Sequence, residues 1–150
     1  MNIIKKILFK ILPSDFFSKK YPISIKGILY INNKIVLLKN ERDEWELPGG
    51  KIEINESAEI CAIREIKEEL NIDAEIHSLI DVWVYNILGK VNVFIVTYLC
   101  HPLILDESEI KISHEHKEVC LFEINEINNL KMPDGYKKSI NKTINILRNE

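Results

Sequence analysis

Glycine is scarce in this chain: there are five in 150 residues, and two of the five, Gly49 and Gly50, are adjacent. Prolines are equally few, which excludes a collagen-like repeat and, with 46% hydrophobic residues, a disordered chain. Only three cysteines occur, Cys61, Cys100 and Cys120. An odd count without paired spacing excludes a disulfide-framed scaffold and predicts reduced thiols in a cytoplasmic setting. Charge of one sign is lacking too, with 20 basic against 23 acidic residues and a net charge of −3. So even a balance predicts no stable nucleic-acid partner. Long apolar runs are missing: Lys5, Lys6 and Lys10 break up the N-terminal isoleucines and leucines. That pattern argues against a transmembrane segment and a signal peptide. His114 and His116 have no Cys-x-x-Cys or His-Glu-x-x-His companion, so they do not predict a zinc site.

What is present is a soluble composition long enough for one domain with its own core. Ile3, Ile4, Ile7, Leu8, Ile11 and Leu12 recur at helical spacing and stop at Pro13. Residues 1–20 therefore read as an amphipathic helix and lead-in, expected to lay its apolar stripe on the domain or a partner subunit, with a membrane surface as the alternative. From residue 21 onward the pattern alternates. Ile23 to Tyr30 and Lys34 to Leu38 read as strands of a hairpin turned at Asn32-Asn33, with Gly27 as a bulge. Lys51 to Ile54 reads as a short strand. Residues 75–86 and 91–100 read as two more strands, the second apolar enough to be central. Residues 103–117 are polar and loop-like, Val119 to Ile124 forms a last strand, and Gly135 to Arg148 a last helix. Mixed α and β elements around one sheet are the expected fold class.

Residues 57–70 form the clearest helix, with Ser57 as N-cap and Asn71 as a left-handed stop. At about 100° per residue, Ala62, Ile63, Ile66 and Leu70 share a core-facing side. Glu65, Glu68 and Glu69 fall on another side, with Arg64 close by and Glu56 placed to fold back from before the first turn. Like charges three and four residues apart destabilise a helix, so this stripe either faces solvent beside Lys67 and Arg64 or holds a hard cation such as Mg²⁺ or Mn²⁺.

The spacing narrows that choice. Gly50 is followed after five residues by Glu56, and after seven more by Arg64-Glu65-Ile66-Lys67-Glu68-Glu69-Leu70-Asn71-Ile72. This resembles the Nudix box, whose only unmatched position is a glycine where Asn71 stands. Leu47-Pro48-Gly49-Gly50 resembles the lead-in of that box. The resemblance implies an α/β/α sandwich with a mixed central β-sheet over residues 21–150. It implies hydrolysis of a diphosphate linkage in a nucleoside diphosphate derivative, with Mg²⁺ or Mn²⁺ as cofactor and a small-molecule nucleotide as partner. By position, the implied metal ligands are Glu65, Glu68 and Glu69, the Gly49 carbonyl is a further candidate, and Glu56 supports the shell. Arg64 would orient a catalytic glutamate. Glu65 is the implied base within the box; Glu115 or Glu118, in a stretch similar to a later family motif, is the alternative. Trp45, Trp83, Tyr85 and Tyr136 read as packing residues or as stacking surfaces for a base.

Substrate choice stays open at this level. The family's ADP-ribose group often has proline at the place of Leu88, and its dinucleoside-polyphosphate group tyrosine at the place of Gly89. A non-catalytic nucleotide-binding or regulatory module on the same fold is the alternative function, expected to lack one of the three glutamates. An isoprenyl-diphosphate isomerase would need an active-site cysteine, and Cys61 lies on the carboxylate side of the helix. A homodimer remains open.

Overall fold

The computed structural model describes residues 18–103, 110 and 117–149. The expected helix at residues 1–12 and the late acid Glu115, with His114 and His116, lie outside them. Strand β1 (Ile23–Ile31) turns at Asn32-Asn33, both with positive φ, into β2 (Lys34–Lys39). Two short strands follow, β3 (Trp45–Glu46) and β4 (Gly49–Lys51). Helix α1 (Ala58–Leu70) comes next, then the long strands β5 (Ala74–Ile87) and β6 (Val91–Pro102). Strand β7 (Glu118–Glu123), one 3-10 turn and helix α2 (Asp134–Leu147) complete the order.

The strands form one mixed sheet in the order β3-β2-β1-β6-β5, with β4 paired to β1 and β7 to β2. The β1 and β6 strands run parallel and every other pairing is antiparallel. As expected from its apolar sequence, β6 is internal. Successive residues of a strand point to opposite faces, so each strand feeds two cores. Ile25, Leu29, Val36 and Leu38 pack with Ala62, Ile66 and Leu70 of α1. Ile28, Ile35 and Leu37 pack with Tyr136, Ile140 and Ile144 of α2. The two clusters make an α/β/α sandwich.

Helix α1 begins and ends by the expected chemistry. The Ser57 hydroxyl accepts the Ile60 N–H at 3.2 Å. Asn71 adopts φ 59° and its N–H donates to the Lys67 carbonyl at 2.9 Å. Asparagine tolerates this left-handed conformation better than most residues, which is why the box survives without its glycine.

Two local expectations are corrected. Gly27 is no bulge: the β1–β6 register runs unbroken across it, from Ile23 opposite Phe94 to Leu29 opposite Cys100. A Cβ there would lie 2.6 Å from Ile66 Cδ1, a side-chain tip, so glycine marks the close approach of α1 rather than a bulge. The register shifts fall in β5 instead, at Ile76/Ser78 and Leu79/Asp81. The short strand is Gly49–Lys51, not Lys51 to Ile54, because pairing with Ser24, Ile25 and Lys26 of β1 decides its position. Ile54 is left exposed.

Candidate active site

Arg64 organises the acidic face of α1. Its Nε donates to Glu56 Oε1 at 2.7 Å and its Nη2 to Glu56 Oε2 at 3.0 Å, a two-pronged pair. Nη1 donates to Glu65 Oε1 at 2.8 Å and to Glu68 Oε2 at 3.1 Å. One guanidinium thus gathers three carboxylates that would otherwise repel, and this answers the like-charge problem seen in the sequence. The hydrogen bonds from Arg64 hold the Glu56 carboxyl down to about 2, with help from the backbone N–H of Glu53. The same partners, Glu56 first, raise Arg64 above its usual value.

The sign of that shift gives a stability prediction. Glu56 is held ionised in the fold more strongly than in the unfolded chain. Its contribution is therefore fully present above about pH 4.5 and is lost as pH falls through its folded value near 2. The melting temperature of the wild type should fall more between pH 4.5 and 2.5 than that of Glu56→Gln. Parallel curves for the two proteins would refute the pairing as a source of stability.

The Gly49–Gly50 strand lies between α1 and the α2 side of the sheet. Glu69, only 4% exposed, accepts the Gly49 N–H at 2.7 Å. The Gly49 carbonyl accepts the Lys26 ammonium at 2.8 Å. A Cβ on Gly50 would sit 2.6 Å from the Glu65 carboxyl group, so glycine there lets that carboxylate lie against the main chain. Lys26 is 5% exposed and is 3.8 Å from Glu46 Oε2. Burial opposes its charge, yet Tyr136, Glu46, Glu69 and Glu65 together raise its pKa.

Two adjoining clefts share this strand. The first, about 440 Å³, is lined by Glu65, Glu69, Glu46, Asn40 and the Gly49–Gly50 strand. Asn40 is buried there and its Nδ2 has no hydrogen-bond partner. The second, about 390 Å³, is lined by Lys26, Arg42, Tyr85, Tyr136 and an apolar wall of Val93 and Ile95. Tyr85 and Tyr136 are thus placed at a cleft. The other two aromatics are packing residues: Trp45 meets Phe122 edge-on at 4.7 Å, and Trp83 meets Tyr136 at 5.0 Å. Sequence reasoning missed Lys26, Arg42, Glu46 and Asn40. Only Lys26 carried a signal, as a lone cation inside an apolar strand.

The match to a known family spans these residues. Residues 20–143 match the family model of the NUDIX domain. The chain belongs to the Nudix family. An ADP-ribose pyrophosphatase of Methanocaldococcus jannaschii is 35% identical over 65 residues, covering 41% of this chain and 38% of that protein. A putative 8-oxo-dGTP diphosphatase, YtkD, of Bacillus subtilis is 40% identical over 68 residues, covering 45% of this chain and 42% of that one. The matched segment spans less than half the length of either relative. A C. elegans Ap4A hydrolase structure superposes with a TM-score of 0.75 at 21% identity, over 86% of this chain and 99% of that one, which shows a common fold.

Nudix proteins generally use divalent cations, and the donors here suit one. Glu65, Glu68 and Glu69 offer hard carboxylate oxygens on one helix. Among the described residues no three acidic, histidine or cysteine side chains are grouped so as to hold a metal ion by themselves. Mg²⁺ does not require such a group, because it usually takes one or two carboxylates and completes its shell with water and substrate phosphate. The late acid Glu118 lies at the start of β7, 3.6 Å from Lys39 Nζ, and accepts from the Cys120 thiol at 3.3 Å. Cys61 is buried, and its thiol is pushed up to about 12 by burial and by Glu56. With no surface exposed, that thiol is not open to a substrate, as an isomerase cysteine would be. No helix among the described residues is long and apolar enough to cross a membrane.

Proposed function

We propose that this chain hydrolyses the diphosphate linkage of a nucleoside diphosphate derivative, by attack of water at phosphorus with Mg²⁺ or Mn²⁺ bound. One observation carries this reading. Arg64 holds Glu56, Glu65 and Glu68 together on α1, while Lys26, Arg42 and two tyrosine rings line the adjoining cleft across the Gly49–Gly50 strand. Anionic phosphates need cations, and a planar base needs apolar and aromatic walls.

Glu65, Glu68 and Glu69 would hold the divalent ion, which neutralises phosphate charge and acidifies a water molecule. Glu56 and Arg64 position those carboxylates. Glu65 would take the proton of the attacking water, with Glu115 or Glu118 as the later candidates. Arg42 and Lys26 face the phosphates and Tyr85 supports the base. Candidate substrates are nucleoside triphosphates, among them 8-oxo-dGTP, and nucleotide sugars, among them ADP-ribose. A cytoplasmic setting agrees with the three free thiols.

The test is a screen of the purified protein with Mg²⁺ or Mn²⁺ against nucleoside triphosphates, nucleotide sugars and dinucleotides, with products resolved by chromatography. Turnover of one class, abolished by EDTA, is expected. No turnover of any class would overturn the hydrolase reading in favour of a binding module.

A further inference from the structure

Both backbone polar groups of Gly49, its N–H and its carbonyl, are claimed by charged side chains. Glu69 of α1 takes its N–H at 2.7 Å, and Lys26 of β1 donates to its carbonyl oxygen at 2.8 Å. The lysine is not a surface residue that has drifted inward. Lys26 sits opposite Gly49 in the β1–β4 register, is 5% exposed, and lies 3.8 Å from Glu46. Its charge is therefore a fixed part of the site. A divalent cation on the same oxygen would have to sit beside a buried ammonium and would be repelled by it. The donors of α1 also lie beside a cation, Arg64, but each carries a full negative charge that the neutral Gly49 carbonyl lacks.

We propose that Lys26 is a resident cation of the site, occupying the Gly49 carbonyl so that the divalent ion is held by the glutamates of α1 without that oxygen. Lys26 is a positioning residue here, and it also lowers the affinity of the site for a second positive charge. The inference rests on the proposed metal-dependent reading of the site.

The sequence makes a direct test available. Gly49-Gly50 is the only Gly-Gly pair in the chain. Protein labelled with carbonyl-¹³C, ¹⁵N-glycine therefore gives a single cross-peak in an HNCO spectrum, linking the Gly49 carbonyl to the Gly50 amide. In the wild type, saturating Mg²⁺ is expected to move this carbonyl signal no further than it moves the other glycine carbonyls, which are read from the one-dimensional ¹³C spectrum of the same sample. In Lys26→Met, which frees the oxygen and removes the charge, it should move downfield. Mn²⁺ affinity, read from the free-ion EPR signal, should rise by about tenfold or more in that variant. Lys26→Gln keeps a donor for Gly49 without the charge, and its carbonyl signal should respond as the wild type does.

Wild-type Mn²⁺ binding together with a Gly49 signal that moves as far as in Lys26→Met would overturn this inference alone. Equal Mn²⁺ affinity in the wild type and Lys26→Met would do the same. Absence of Mn²⁺ binding in both would overturn the metal-dependent reading as well. Should Lys26→Met not fold, Lys26→Gln supplies the affinity comparison, and the wild-type titration by itself decides the carbonyl assignment.

Discussion

Glu68→Gln is expected to lower Mg²⁺-dependent turnover by roughly 10³-fold while leaving the fold intact. Glutamine has nearly the shape of glutamate and still accepts a hydrogen bond from Arg64, but it carries no charge for a divalent ion. Losing one ligand of an ion that neutralises phosphate charge costs about 4 kcal/mol of transition-state stabilisation, at about 1.4 kcal/mol per tenfold in rate. The folded state loses far less. The Glu68 side chain is 59% exposed, and its pair with Arg64 is a surface i,i+4 contact. Pairs of that kind contribute only about 0.3–0.5 kcal/mol. The melting temperature should therefore shift by no more than about 2 °C. Steady-state kinetics and thermal denaturation on the same preparation check both halves. Turnover within tenfold of the wild type would remove Glu68 from the metal-binding set.

Gly49→Ala is expected to be strongly destabilising. Gly49 has φ +133°, a conformation that L residues rarely adopt. An added Cβ would lie 2.0 Å from the Ile25 carbonyl oxygen and 2.8 Å from Lys26 Cα. Both are backbone atoms of β1, which is held between its neighbours in the sheet and cannot step aside as a side-chain tip can. Strain and displacement together should cost more than about 3 kcal/mol, lowering the melting temperature by roughly 6 °C or more. Gly89→Ala is the control. Gly89 also has positive φ, +71°, but nothing lies within 4 Å of an added Cβ. Its cost should be confined to the left-handed conformation, about 1–2 kcal/mol. Equal destabilisation in the two variants would show that the close approach of β4 to β1 is not a constraint. Any displacement of β4 also draws Gly49 away from Glu69 and Lys26, so activity should fall beyond what the loss of folded protein explains.

The parts of the structure legible in the sequence are those fixed by local geometry. The β1–β2 hairpin follows from alternation and the Asn32-Asn33 turn. Helix α1 follows from its caps and its apolar spacing. Where one signal has two physical causes, the sequence reading fails. An isolated glycine in a strand marks either a bulge or a close approach, and Gly27 proved to be the second. Trp45, Trp83, Tyr85 and Tyr136 were indistinguishable as aromatics; their neighbours across the sheet separate packing from cleft.

The sequence by itself determined the carboxylate stripe. The side chains of Glu65, Glu68 and Glu69 share a region of one helix because 3.6 residues make a turn, whatever the rest of the chain does. Tertiary structure alone decided what stands at Gly49. Lys26 and Glu69 lie 23 and 20 residues from it, on a strand and a helix of their own. They meet at one residue only because the register of β4 on β1 and the packing of α1 on that sheet bring them there. Such partners are set by contacts remote along the chain, and no local spacing encodes them.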